Sequence, residues 1–193
     1  MSKIDSYRET LRALPTLDDW EPYLLKESGL PGPRGNIELA QAVADAATPA
    51  LIERYLSYDA ERAPVNSPYE FLAFCGVVGL GRLIAQGQTD LLPYLREHAS
   101  DSRWRTREGV AMALQRVGDA DMGLLLTEMK VWCKGNMLEQ RAAAAALCEP
   151  RLLTKPAQVK SVLRILDQIM ASLAKSKERK GAEFDALRKG LGR

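Results

Sequence analysis

The sequence predicts an all-α protein, because its apolar residues recur with the period of a helix. Val110, Ala113, Leu114 and Val117 lie at positions i, i+3, i+4 and i+7, which places one apolar stripe along a helix. No segment alternates apolar and polar residues over four or more positions, the pattern that a half-buried strand requires. We therefore expect helices joined by loops and no sheet.

A second observation predicts how these helices are arranged. The pairs Gly79-Leu80, Ala113-Leu114 and Ala146-Leu147 each close a helix that follows another amphipathic helix, and their leucines are 34 and 33 residues apart. One helical pair cannot cover its own apolar stripe, whereas stacked pairs share a core. The spacing predicts an α-α superhelix, a solenoid of stacked antiparallel helix pairs.

Capping and stop residues place the individual helices. Ser67, Pro68 and Glu70 combine a cap, a first-turn proline and a capping-box acid, and Asp18 with Glu21 forms a second capping box. Gly118 is interpreted as a helix stop. The predicted helices cover about residues 4–14, 18–27, 36–47, 49–58, 68–86, 89–99, 100–118, 121–134, 136–149 and 154–173.

The length of 193 residues fits one continuous core. We expect one solenoid domain over residues 1–173, in which residues 1–35 form capping helices and a turn-rich loop. Residues 174–193 read as a basic tail with one weak docking helix near its end.

The net charge of +2 conceals an asymmetry between the two halves of the chain. Residues 1–100 carry 9 basic and 14 acidic side chains, whereas residues 101–193 carry 18 basic and 11 acidic ones. A polyanion would therefore be attracted to the C-terminal half.

The cysteines indicate a reducing compartment. Cys75, Cys133 and Cys148 are odd in number, lie in predicted helices and form no CxxC pair, so buried, reduced thiols are expected. The first residues lack a signal-peptide core, and the longest uncharged apolar run, 71–81, is shorter than the roughly 20 residues of a membrane span. These features predict a soluble cytoplasmic protein with no membrane partner.

The cluster Arg103, Trp104 and Arg105 is the sharpest candidate binding feature. Arg103 and Trp104, near a helix start, could meet a phosphate and a base or sugar, because arginine suits phosphate recognition. Arg105 lies on nearly the opposite side of the helix, so the arginines cannot all face one groove. The favoured alternative is a tryptophan packed between helices and solvated arginines, with Arg107 in a structural role.

Further candidates lie towards the C-terminus. Trp132 between Lys130 and Lys134 has the spacing of a core residue, and Lys155 belongs to a basic strip with Arg151, Lys160 and Arg164 for which a solvated helix face is favoured over phosphate binding. His98 is the only histidine, which removes most catalytic designs. No cofactor or metal site is predicted. The possible partner or nucleic-acid contacts are Arg103, Trp104, Arg105, Trp132, Arg141 and Lys155.

The segments DSRWRTREGVAMALQRVGD and EQRAAAAALCEPRLL resemble HEAT repeats, and the likeness covers about residues 36–173. In such repeats an aspartate ahead of the second helix commonly binds an arginine within it. The resemblance implies that Asp101 pairs with Arg107, and that Asp119 or Glu139 pairs with Arg141. Because HEAT arrays mostly act as binding surfaces, it also implies a non-enzymatic adaptor or scaffold that holds a protein partner on its concave face.

A narrower similarity links Asp101, Trp104 and Arg107 to the HEAT-like DNA alkylation repair proteins, whose helices begin with similar Asp-x-x-Trp-x-x-Arg strings. This resemblance implies a nucleic-acid-binding or glycosylase-related protein with a basic groove. The chain lacks the Trp-Asp pair of that family and has no evident acid beside an aromatic residue. The protein-binding adaptor is therefore the first hypothesis, and nucleic-acid binding is the alternative.

Overall fold

The computed structural model describes residues 2–177 and 179–192, and within them all regular structure is helical. The predicted all-α fold is confirmed. The described helices are α1 (Lys3–Ala13), α2 (Trp20–Glu27), α3 (Ile37–Ala46), α4 (Pro49–Leu56), α5 (Pro68–Ala85), α6 (Leu92–His98), α7 (Trp104–Ala120), α8 (Met122–Trp132), α9 (Met137–Leu147), α10 (Pro156–Lys175) and α11 (Ala182–Leu191).

The chain forms two compact units, which meet in sequence within α7. Unit 1 is Met1–Ala113, and unit 2 is Leu114–Arg193. This division differs from the predicted domain over 1–173 with a tail over 174–193. The predicted tail contains α11, which packs against α9 and buries Leu187 completely, so this part of the chain belongs to unit 2.

Helix α5 is the centre of unit 1, with α2, α3, α4 and α6 packed around it, while α1 packs on α3. It is apolar on nearly all sides, and 14 of its residues are buried. Among the described residues it is the one helix long and apolar enough to cross a membrane, and 78% of that stretch is buried inside the fold. Burial of this kind is typical of a core helix of a soluble protein.

Small residues let α5 and α7 approach closely within unit 1. A Cβ atom added to Gly81 would lie 2.4 Å from Cα and 2.5 Å from the carbonyl oxygen of Ala113. A Cβ on Gly109 of α7 would meet the ring of Phe74 at 3.1 Å. The glycines therefore set the spacing of these two helices, because any side chain at position 81 would collide with backbone.

In unit 2, α9 contacts α8, α10 and α11, and α8 contacts α10. The side chain of Trp132 is 1% exposed, and it shares this core with the fully buried Leu125, Met129 and Ile169. Apolar burial of this extent removes each of these side chains from water and is the main stabilising contribution to the unit.

Two predicted ends of α7 were wrong. The helix begins at Trp104, not at Ser100, and it continues past Gly118 to Ala120. A Cβ on Gly118 would lie 2.7 Å from Leu125 and 2.9 Å from Leu152, so this glycine serves close packing and does not terminate the helix. Sequence patterns alone do not distinguish the two uses of glycine.

Most predicted caps are confirmed. The side chains of Asn36, Thr48, Ser67, Asp121 and Asn136 accept backbone N–H groups at the starts of their helices.

The box predicted at Asp18 and Glu21 was wrong. A capping box instead joins Thr16 and Asp19 ahead of a short 3-10 turn. The Glu21 carboxylate accepts hydrogen bonds from Arg54 and from the Tyr58 hydroxyl, because tertiary neighbours compete with local capping for the same oxygens.

The cysteine prediction holds in part. Cys75 and Cys133 are buried, and burial raises the pKa of both thiols. Cys148 is exposed, which corrects the expectation of burial, because it follows the last residue of α9 at the helix end. All three cysteines are free.

Candidate functional site

The guanidinium of Arg105 lies at the centre of a buried polar cluster in unit 1. Its Nη1 donates to Glu70 Oε2 at 2.9 Å, and its Nη2 donates to the Gly32 carbonyl at 2.6 Å and to Asn66 Oδ1 at 3.2 Å. The side chain of Glu70 is fully buried, and Arg105 is 5% exposed. These bonds tie the 28–35 loop and the start of α5 to the start of α7.

Asn66 completes this cluster. Its backbone N–H donates to Glu70 Oε2 at 2.6 Å, and its Oδ1 accepts the N–H of Gly32 at 3.0 Å. The predicted capping box of α5 is thus only half formed. Ser67 caps the helix, but the Glu70 carboxylate binds Asn66 and Arg105.

Arg103 is buried in the same way by a different loop. Its Nη1 donates to the carbonyls of Tyr58 and Asp59 at 2.8 and 3.0 Å, and its Nε and Nη2 donate to the Asp101 carboxylate at 3.0 and 2.7 Å. Burial alone would raise the pKa of Asp101, but hydrogen bonds from Arg103 outweigh it and hold that pKa below its usual value. Only 3% of the Arg103 surface is exposed.

These contacts correct the predicted roles of the two arginines. Arg103 was expected to meet a phosphate and Arg105 to face solvent, yet both guanidiniums are enclosed by protein. Burying a charge without a partner is costly, so each is matched by a carboxylate and by carbonyl oxygens. Their role in this geometry is structural.

Trp104 lies between these arginines in sequence and remains 43% exposed. The Arg105 guanidinium carbon is 4.5 Å from the centroid of its indole ring, a cation–π arrangement. Val65 and Tyr69, the sequence neighbours of Asn66 and Glu70, are 55% and 42% exposed. We name Val65, Tyr69 and Trp104 the aromatic surface, since each adjoins a residue of the Arg105 cluster.

A second stack supports Tyr69 from below. Its ring lies 6.0 Å from that of Tyr58 at an interplanar angle of 16°, and the Arg62 guanidinium lies 4.5 Å from the Tyr58 centroid. Tyr58 is 7% exposed and also donates its hydroxyl to Glu21. The exposed tyrosine therefore rests on a fixed base, as Trp104 rests on Arg105.

The pairings implied by the HEAT resemblance are only partly present. Arg107 does contact Asp101, through the carbonyl oxygen at 2.6 Å, and it also donates to the Ser102 carbonyl. The Asp119 carboxylate binds Arg151 at 3.0 Å. Arg151 also pairs with Glu149, so this member of the predicted basic strip has its charge matched.

The other predicted site residues belong to unit 2. Trp132 is a core residue, which supports the structural interpretation given above. Arg141 is half-buried, and its Cγ lies 3.1 Å from where a Cβ on Gly190 would be. Lys155 is exposed and precedes α10 as its N-cap residue. The structure brings Arg103, Trp104 and Arg105 together with Glu70, Asn66 and Gly32, none of which had been predicted as part of a site.

Within the described residues, no three His, Cys, Asp or Glu side chains are grouped as a metal ion would require. The ring of His98 packs edge-on against Tyr94 with centroids 4.9 Å apart, and in the described structure its buried Nε2 atom has no hydrogen-bond partner. Burial lowers the pKa of His98, and nearby Arg103 adds to this while Asp101 and Glu97 oppose it.

We expect this histidine to make stability depend on pH. Because the folded pKa lies below the unfolded value of 6.5, the unfolded chain binds more protons, so the free energy of unfolding falls as pH drops from about 6.5 to the folded pKa. Each unit of pKa depression corresponds to about 1.4 kcal/mol. Urea titrations at pH 7.5 and 5.5, with NMR of the single imidazole, measure both quantities. His98→Leu should remove most of this slope, and an equal slope in that variant would contradict the assignment.

Comparisons with protein families, with curated proteins and with solved structures found no match for this chain.

Proposed function

We propose that the chain is a non-enzymatic helical binding module that holds a protein partner on the aromatic surface of unit 1. The observation that supports this is the exposed indole of Trp104, stacked on a guanidinium that is itself buried and fully engaged. An apolar ring held in place at the surface offers a partner a contact that needs little ordering on binding.

The chemistry of this surface is that of a protein interface. Tryptophan, tyrosine and arginine are enriched among residues that dominate binding energy, where an aromatic anchor packs into a desolvated contact. Trp104 sits at the first turn of a long helix, and Tyr69 sits near the start of α5, so both project from rigid elements. Single exposed apolar residues need no explanation, but three around one buried cluster favour a binding role.

Charge favours a protein over nucleic acid at this surface. The arginines beside Trp104 are paired with Glu70 and Asp101, so they offer no free cation to a phosphate. Unit 1 carries 12 basic and 16 acidic residues. A phosphate backbone would therefore meet a surface of unfavourable net charge.

Nucleic-acid binding remains the second candidate, at a different surface. Unit 2 carries 15 basic and 9 acidic residues, and Lys155 and Lys160 are exposed around the start of α10. Such a contact would be electrostatic and salt-dependent. We also propose the HEAT-like stacking of helix pairs as the scaffold. The recurring leucines Leu80, Leu114 and Leu147 support it, since each is at most 2% exposed and lies in α5, α7 or α9.

The protein hypothesis can be tested with a random peptide library displayed on phage and selected on the immobilised chain. Trp20 and Trp132 are buried at 4% and 1% exposure, so changes in emission and acrylamide quenching report mainly on Trp104. We expect selected peptides to protect this indole from acrylamide. Trp104→Ala should weaken their binding by about 30-fold, the effect of a hot-spot residue worth about 2 kcal/mol.

Tyr94→Ala is the matched control, because Tyr94 is 39% exposed on α6 of the same unit and outside the aromatic surface. It should leave peptide affinity unchanged. Peptides that bind Trp104→Ala as tightly as the wild type would contradict the proposal. A duplex of about 20 base pairs that binds both variants equally and dissociates between about 50 and 200 mM salt would instead favour the nucleic-acid candidate.

A further inference from the structure

Helix α10 carries two apolar stripes, of which only one is covered. Val162, Ile165 and Ile169 are buried at 2% exposure or less. The second stripe is spaced by four, three, four and three residues and faces outward. Leu163 and Met170 are 54% and 51% exposed, and its other members are half-buried. We name this second set the outer stripe: Val159, Leu163, Leu166, Met170 and Leu173.

The outer stripe continues into an apolar groove at the start of the helix. This groove has a volume of about 680 Å³ and is lined by Leu153, Pro156, Val159 and Leu163, among others. A helix that is apolar on two sides and covered on one leaves a contiguous apolar patch in water, which marks an interaction surface.

We propose that the outer stripe is the dimerisation surface of this protein, on which α10 of a second copy packs antiparallel. The spacing suits a twofold axis, because the stripe read backwards steps by three, four, three and four residues. Val159 then faces Leu173 of the second copy, Leu163 faces Met170 of the second copy, and Leu166 lies near the axis. Each exposed apolar side chain meets another in this register.

Charges beside the outer stripe favour the same arrangement. Arg164 and Asp167 are both exposed and lie on one side of the stripe, three residues apart. A twofold axis through Leu166 brings Arg164 opposite Asp167 of the second copy, and the symmetry makes this pair twice. An anionic lipid surface would instead meet the Asp167 carboxylate midway along the stripe. Charge complementarity therefore selects a second copy as the occupant.

The size of the contact sets the expected strength. A helix of 20 residues is about 30 Å long, which gives a footprint of about 300 Å² on each copy. This is below the roughly 800 Å² per partner of a standard interface, so α10 alone predicts a reversible dimer with a dissociation constant on the order of tens of micromolar.

Reversal of the two charges separately tests the arrangement by sedimentation velocity over a concentration series. In an Arg164→Glu dimer, two glutamates would face two aspartates, and in an Asp167→Arg dimer, arginines would face arginines. Each variant alone should dimerise about tenfold more weakly than wild type. An equimolar mixture should recover wild-type affinity, since every cross-pair between the two variants joins opposite charges. A change confined to one chain's own helix cannot give that recovery.

Leu163→Glu supplies an independent check on the apolar contact. It should abolish dimerisation while leaving the helical circular dichroism unchanged, because Leu163 is exposed. Val65→Glu is the matched control at 55% exposure in unit 1 and should dimerise as wild type does. A wild-type chain that is monomeric up to about 200 µM, or a mixture no tighter than its components, would overturn the proposal and leave the outer stripe to another protein or to lipid.

Discussion

Replacement of Arg105 with alanine is expected to lower the free energy of unfolding by about 3–5 kcal/mol. The substitution leaves the Glu70 carboxylate fully buried without its cationic partner, and it removes the donor to the Gly32 carbonyl. Removing one member of a buried ion pair costs far more than the pair itself contributes, because the remaining charge cannot regain its hydration. Urea unfolding followed by circular dichroism gives the measurement.

A double-mutant cycle separates this effect from lost packing. Glu70→Ala alone should also be strongly destabilising, whereas the double variant should cost clearly less than the sum, since no unpaired charge remains. Arg62→Ala is the control, because that arginine is exposed and makes only surface contacts, so its cost should stay below about 1 kcal/mol. Additive costs for Arg105 and Glu70 would show that the pair is not coupled as the structure indicates.

Gly81→Ala is expected to be the most damaging change of a single methyl group in unit 1, at about 3 kcal/mol. The added Cβ would meet Cα, C and O of Ala113 at 2.4 to 2.8 Å, and backbone atoms of a packed helix cannot move aside as a side chain does. The gain in helix propensity from glycine to alanine, up to about 1 kcal/mol, does not offset this clash. Thermal and urea unfolding both report the change.

Two other helical glycines make a graded control series. Gly79→Ala meets only the side chain of Ile52, at 2.8 Å, which can shift, so a smaller loss is expected. Gly190→Ala meets the Cγ of the flexible Arg141 side chain at 3.1 Å near the end of α11, and there the propensity gain should make the change neutral or slightly stabilising. Equal effects at positions 81 and 190 would show that α5 and α7 do not pack as closely as described.

The all-α fold and most helix starts could be predicted from the sequence because they depend on local chemistry. The period of 3.6 residues is a property of neighbouring positions, and a cap such as Asn36 or Asp121 binds N–H groups two or three residues away. Glu21 and Glu70 show where this reasoning stops. Both have the spacing of a capping acid, yet their carboxylates bind residues 33 or more positions away.

The candidate site depended on such distant contacts. Arg103 and Arg105 flank an aromatic residue at a helix start, a pattern equally typical of a phosphate contact and of a solvated surface. Their burial results from loops that reach them across as many as 73 residues of chain. Only the exposed Trp104 matches a predicted binding residue in position and accessibility. No local pattern announces which side chains a distant loop will cover.

The sequence by itself determined that this chain is helical and which residues are apolar on each helix, because hydrogen bonding and hydrophobic periodicity operate over one or two turns. Tertiary structure decided the rest. It assigned Gly118 to packing and not to a helix end, enclosed two arginines that the pattern had left in water, and covered one apolar stripe of α10 while leaving the other open. The physical reason is that burial depends on which surfaces meet, and those surfaces come from segments far apart in the chain.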